Sequence, residues 1–294
     1  MFRISTRSAT TWSINETPAA VLLIILLGGC INGYAVHITE AMIVPGMASL
    51  FLGLSPFDLI VVFVATSLIL EATEPPDPSR QTSEASIGIG WADAFAVIAL
   101  LIPSSTVSWC VVAAYAGYRA FQSSGPRQVG LMFFIVLALC SLWSSVGMKV
   151  FGVTITSLEA AVVATLLSTF KDGVVHTGNV VGNPEHFTLI VMAACSTLDG
   201  LPKALLGLTA VLWLTGALSS RTLLTSGTAL VAIYTIANFA RLTVMATSQD
   251  LYQLAHGPIG AGIFDGLIVI SVFALSMVWT NDLARTQKTA TGCP

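Results

Sequence analysis

Long apolar runs constrain this chain more than any other feature. They cover residues 18–36, 42–70, 91–118, 128–146, 198–218, 224–246 and 258–280. A helix crosses the hydrocarbon core of a bilayer with about 20 mostly apolar residues. A backbone inside lipid must satisfy its own hydrogen bonds, so runs of this length read as helices. Composition agrees: 55% of residues are hydrophobic, 9% are charged, and the mean hydropathy is +0.85. Soluble domains carry about 25% charged residues, so lipid must solvate much of this surface. The net charge of −3 gives no basic footprint, and no nucleic-acid partner is expected.

Two runs contain proline. Run 91–118 holds Pro103, is long for one span and short for two, and is read as two short segments on either side of that proline. Run 42–70 holds Pro56 and is read as one kinked span. The expected fold is an all-α polytopic membrane protein with about eight transmembrane segments. Lys and Arg mark cytoplasmic loops, here Arg3, Arg7, Arg80, Arg119, Arg127, Arg221, Arg285 and Lys288. An even number of spans puts both termini in the cytoplasm of a cell with an inner (plasma) membrane. Residues 1–127 form an N-terminal transmembrane bundle with a cytoplasmic linker at 73–90. Residues 128–281 form the membrane core that carries the chemistry, and 282–294 a cytoplasmic tail. The end of the first run, Leu27-Gly28-Gly29-Cys30, has the form of a lipoprotein cleavage box. An uncleaved helix with a small-residue packing face is the preferred reading.

Between 146 and 198 the pattern changes. Residues 153–170 keep a helical period but are dotted with Thr, Ser and Glu159, which suggests an interfacial helix. Two β-branched runs around Gly182-Asn183-Pro184 then read as a short β-hairpin. An open sheet edge cannot face lipid, so the hairpin belongs at the outer surface.

The five cysteines, Cys30, Cys110, Cys140, Cys195 and Cys293, show no C-x-x-C pair and no zinc spacing. No disulfide, metal or cofactor is expected. Cys195 differs from the others in standing where a polar loop becomes a helix. A helix N-terminus and a nearby cation both lower a thiol pKa, and the thiolate is the nucleophile. Arg241, in the outer half of the next span, is a costly intramembrane charge of the kind that marks function. Snorkelling, or pairing with Asp250 or Asp265, is its alternative explanation. His256 directly precedes the last span. With Arg221 cytoplasmic, all three fall on the extracytoplasmic side. A thiol, an acid/base imidazole and an oxyanion-binding guanidinium together suit acyl transfer.

Gly178-Asn179-Val180-Val181, then Ala193-Ala194-Cys195-Ser196, then Asn238-Phe239-Ala240-Arg241 and finally His256 form an ordered set that resembles the exosortase/archaeosortase family. The likeness covers about 141–279, nearly half of the chain. It implies a membrane-embedded cysteine transpeptidase or protease without a metal. The implied partners are membrane-tethered proteins bearing a C-terminal sorting tail: a short signature, one transmembrane helix and a basic end (a PEP-CTERM-like tail). Cys195 would be the nucleophile, Arg241 the oxyanion or carboxylate partner and His256 the acid/base. Asn238 would support the arginine, with Ser196, Gly178 and Asn179 completing the motif. Thr197, Ala193 and Asp199 stand where the family commonly has Gly, an acid and Arg, which implies a divergent subfamily. Two other readings fit the composition: a small multi-pass transporter, and a non-catalytic component of polysaccharide export.

Overall fold

The computed structural model describes residues 18–43, 55–72 and 90–291. Most of the linker at 73–90, with Arg80, as well as Arg3, Arg7 and Cys293, lies outside them. The helices are α1 (Ala19–Ile43), α2 (Pro56–Glu71), α3 (Trp91–Leu100), α4 (Ser105–Phe121), α5 (Gly125–Leu142) and α6 (Met148–Ser168). Three short strands follow, β1 (Val175–Thr177), β2 (Val180–Asn183) and β3 (Phe187–Ile190). Helices α7 (Thr197–Leu214), α8 (Ser220–Met245), α9 (Gln249–His256) and α10 (Pro258–Thr291) complete the order.

Four helical stretches are long and apolar enough to cross a membrane: Gly125–Ser168, Thr197–Leu214, Ser220–Met245 and Ile259–Thr280. The chain is a helical membrane protein. Shorter apolar helices occupy Ala19–Ala35 and Trp91–Leu100.

The prolines act as breaks, each with a local compensation. Pro56 does not kink a span across 42–70. It opens α2 at the first helical turn, with the Ser55 hydroxyl accepting from the Phe57 N–H as N-cap. A proline there lacks only an N–H that would have had no intrahelical partner. Helix α1 meanwhile continues to Ile43, well beyond the expected end at residue 36. At Pro103 the chain does divide, into α3 and α4, with Ser104 capping α4. The Asn32 amide donates to the Leu100 and Ile102 carbonyls and to the Ser108 hydroxyl, at 3.1, 3.2 and 2.8 Å. Carbonyls orphaned at the break are thereby satisfied inside the bundle.

Residues 153–170, read as a detached interfacial helix, belong to α6, which continues α5 through a π-helical turn at Trp143–Gly147. The combined rod has 44 residues. At 1.5 Å per residue it is about 66 Å long, roughly twice the hydrocarbon thickness. A Cβ at Gly147 would collide with the Trp143 ring, so glycine lets the indole fold back at this turn. The Trp143 indole N–H donates to the Leu198 carbonyl at 2.8 Å. Pro202 lies inside α7, four residues after Leu198, and has no N–H for that carbonyl. Tryptophan on the π turn therefore replaces a helical bond that α7 cannot make.

The expected two-stranded hairpin is a three-stranded antiparallel sheet of order β1-β2-β3. The β2–β3 pair around Pro184 matches the expectation, and β1 is added through the turn Gly178-Asn179. Gly178 takes φ +58° there, a left-handed conformation that favours glycine.

Three apolar cores result. The first joins α1, α2, α4 and α5, with Leu206 and Ala210 of α7. Aspartate 93 ties α3 to α4 beside it: Tyr115 donates to Oδ1 at 2.6 Å, Arg119 pairs with the same oxygen, and the Gly90 N–H donates to Oδ2 at 2.8 Å. The second core joins α7, α8 and α10 with Phe57. The third gathers α6, the sheet and the end of α8 around Cys195.

Candidate active site

Cys195 ends a single 3-10 turn, Ala193–Cys195, between β3 and α7. Its N–H donates to the Met192 carbonyl at 2.9 Å and the Ser196 N–H to the Ala193 carbonyl at 3.0 Å. Upstream, Asn179 grips the strand exit. Its backbone carbonyl accepts from the Val191 N–H at 2.8 Å, and its side-chain amide donates to the Val191 carbonyl at 3.1 Å. Gly178 and Asn179 thus act on the cysteine through the path of the chain leading into its turn.

Downstream, Ser196 caps α7 by accepting from the Leu198 N–H at 3.2 Å. Its hydroxyl donates to Glu159 Oε1 at 3.1 Å, and the Thr197 N–H donates to the same oxygen at 2.8 Å. A buried carboxylate on α6 therefore holds the two residues after Cys195. Asn238 of α8 does the same from the other side, donating to the Cys195 carbonyl at 2.9 Å and to the Thr197 hydroxyl at 3.1 Å. The resemblance implies support of the arginine by this amide; its two N–H groups serve the cysteine turn.

Arg241 lies one helical turn beyond Asn238. Its Nε donates to the Ala255 carbonyl at 3.2 Å, and its guanidinium carbon stands 5.2 Å from the centre of the Phe264 ring. Among the described residues no carboxylate closes an ion pair with it, so neither Asp250 nor Asp265 accounts for the charge in that way. The Nε bond to Ala255 also anchors α9, whose last residue is His256. The His256 ring stacks on Tyr252 with centroids 5.0 Å apart and planes 13° apart. Tyr252 lies against Phe187 of β3 at 6.3 Å. His256 Nδ1 is buried and has no hydrogen-bond partner among the described residues.

These groups share one electrostatic neighbourhood. Burial pushes the Cys195 thiol above its ordinary range; the Arg241 charge pulls it back in part, while Glu159 and Asp199 push it further up. The thiol is thus not lowered as its place before a helix suggests, because it lies in an apolar core and Ser196 takes the capping position. Burial, and then the Arg241 charge, hold the His256 imidazole below its ordinary value. Both shifts favour the uncharged form, of the thiol and of the imidazole.

Asn238 and Ser196 surround the Cys195 turn, and the Arg241 charge acts on both Cys195 and His256, while Tyr252 and Ala255 of α9 pack against the core that holds Cys195. In the sequence Glu159 reads only as one of the polar residues that suggest an interfacial helix, with no link to Cys195. The available sign was a carboxylate in an otherwise apolar stretch, which is costly to bury without partners. No group of three or more His, Cys, Asp or Glu residues positioned for a metal ion occurs among the described residues. Compared with family models, with curated proteins and with solved structures, the chain matches none of them.

Proposed function

We propose that this chain is an integral-membrane cysteine transpeptidase or protease of exosortase-like type. It cleaves the C-terminal sorting tail of exported proteins at the extracytoplasmic face of the plasma membrane. Eight segments (α1, α2, α3, α4, α5 with its extension α6, α7, α8 and α10) would cross or enter the bilayer, leaving both termini cytoplasmic. The observation that supports the reading is that one charge, Arg241, acts on both the Cys195 thiol and a His256 whose Nδ1 is buried without a partner among the described residues.

In the reaction His256 takes the thiol proton as sulfur attacks the peptide carbonyl carbon. Arg241 faces the negative oxygen of the tetrahedral adduct. The C–N bond then breaks, and His256 returns the proton to the leaving amine. The remaining thioester passes its acyl group to an acceptor amine or to water, with the same imidazole removing the acceptor's proton. Asn238 and Glu159 position the turn by holding its backbone.

The test is substrate processing in cells that express wild type, Cys195→Ala or Cys195→Ser alongside tail-bearing proteins. Processing should stop in both variants, and unchanged cleavage in either would remove Cys195 as nucleophile. A transporter reading would draw instead on the pair of buried Asp58 and half-buried Lys203, 3.4 Å apart, and predicts no dependence on Cys195.

A further inference from the structure

A cavity of about 530 Å³, lined in part by hydroxyls, lies between the N-terminal bundle and the cysteine turn. Tyr34 of α1, Asp58 of α2, Ser141 of α5 and Lys203 of α7 line its deep part. The π turn adds Ser144 and Ser145, and Ala193 and Ala194 of the 3-10 turn form the wall that separates it from Cys195. A π turn alters which side chains a helix presents, and such turns recur at functional sites. Here it brings two adjacent serines to one lining.

The residues lining the cavity carry unsatisfied polar atoms. Asp58 Oδ1, Ser141 Oγ and Ser144 Oγ are buried without a hydrogen-bond partner among the described residues. Tyr34 Oη faces Asp58 and Ser141 but closes no bond of normal geometry. The residues Tyr34, Asp58 and Ser141 are each more than nine-tenths buried. Buried polar groups are nearly always paired, so this cluster is built for a partner.

Several occupants fit poorly. A cation is opposed by Lys203, which pairs with Asp58 and lies 5.7 Å from the Tyr34 ring centre. An anion would meet Asp58 and Asp199, and an apolar group would leave the orphaned atoms dry. Lys149 and Lys203 balance the two aspartates on the lining. What suits a neutral cavity rich in hydroxyls is a group carrying donors and acceptors together, as a peptide segment does. The volume is within the range of small-ligand sites.

We infer that this cavity binds the polar recognition segment of the substrate tail, next to the bond that Cys195 attacks; the inference rests on the peptidase function proposed above. The N-terminal bundle then supplies one side of the substrate site, and the shared wall at Ala193–Ala194 sets the segment beside the nucleophile.

The test uses full-length protein in the membranes of its own cells. A photo-reactive amino acid is placed at Ser145 in the Cys195→Ala background, where uncleaved substrate accumulates. Cross-linked peptides should come from the proteins whose processing Cys195→Ala abolishes, and from residues bordering the cleavage site. In the Cys195-intact protein, Ser145→Leu should slow processing by about tenfold through KM. Labelling of Cys195 by a thiol reagent should stay within about twofold, because the turn is intact. If processing needs Cys195 yet cross-links fall on lipid or far from the cut, or Ser145→Leu processes normally, the cavity assignment fails and the peptidase reading stands. If no protein depends on Cys195 for cleavage, the peptidase reading fails and the cavity assignment falls with it.

Discussion

The two ends of α5–α6 keep different company, and the contrast separates structural from chemical use of polar residues. At the α3–α4 junction of the N-terminal bundle, polar side chains hold one another and the broken backbone. Asp93 uses both oxygens on Tyr115, Arg119 and the Gly90 N–H, and Asn32 caps the broken ends around Pro103. Around the third core, polar groups instead hold backbone: Asn238, Glu159 and Asn179 all bind the chain flanking Cys195. There His256 Nδ1 is unpartnered and Arg241 is unpaired by any described carboxylate. On the function proposed above, closed groups serve the fold and open groups on a fixed frame serve the reaction.

The sharpest way to break this contrast is to delete one residue from each side. Asp93→Ala should lower stability by about 3–5 kcal/mol, because it strands Arg119 in a largely buried site. Unfolding in detergent would measure this. His256→Ala should abolish processing yet shift unfolding by less than about 1 kcal/mol, since its ring nitrogen makes no bond to lose. If both variants lose stability alike, the distinction does not hold.

Glutamate 159 tests the frame itself. Glu159→Ala removes the acceptor for the Ser196 hydroxyl and the Thr197 N–H, both buried. Unsatisfied buried donors cost about 1–3 kcal/mol each, so the loss of two partners should be about 2–6 kcal/mol, with processing reduced and Cys195 more open to thiol reagents. Glu159→Gln keeps an acceptor oxygen and should recover much of both. Equal damage from Gln and Ala would mean that the charge, rather than the hydrogen bonds, matters.

Trp143→Phe should have a smaller effect. It frees the Leu198 carbonyl that Pro202 cannot serve, for about 1 kcal/mol. A larger loss would show that the π turn depends on the indole for packing as well as for its N–H.

What the sequence disclosed follows the range of the interactions involved. Apolar runs reveal helices because lipid imposes the pattern residue by residue, and Pro103 marked a true break for the same local reason. Cys195, Arg241 and His256 stood out as costly or reactive groups near helix ends. Glu159 did not, because its partners lie 37 and 38 positions away and nothing near it in sequence signals them. Pro56 misled because a proline after a capping serine can start a helix as readily as kink one. The link from Trp143 to Pro202 was equally hidden, since it requires two helices to be placed first. The third strand has a local sign: Gly178-Asn179 is a glycine-led hairpin turn pair between β-branched residues.

Proton linkage at the open site makes the mildest and most specific prediction. A histidine whose folded pKa lies below its ordinary value binds fewer protons folded than unfolded. Its contribution to stability is therefore whole above the ordinary histidine value and declines as pH falls toward the folded one. The Cys195 thiol is shifted the other way, so its contribution is whole below the ordinary thiol value and declines as pH rises toward the folded one. The window in which both are neutral is thus wider at each end than for the free side chains. Processing at low substrate should stay flat across neutral pH, with an acid limb below the ordinary histidine value and an alkaline limb above the ordinary thiol value. In Arg241→Lys the charge that acts on both groups is kept, so the limbs should stay in place, whereas the rate should fall by about 10² through loss of the planar donor set. An acid limb above pH 7 would mean that the imidazole is held above its ordinary value. That outcome would contradict the burial and the Arg241 charge that keep His256 below it.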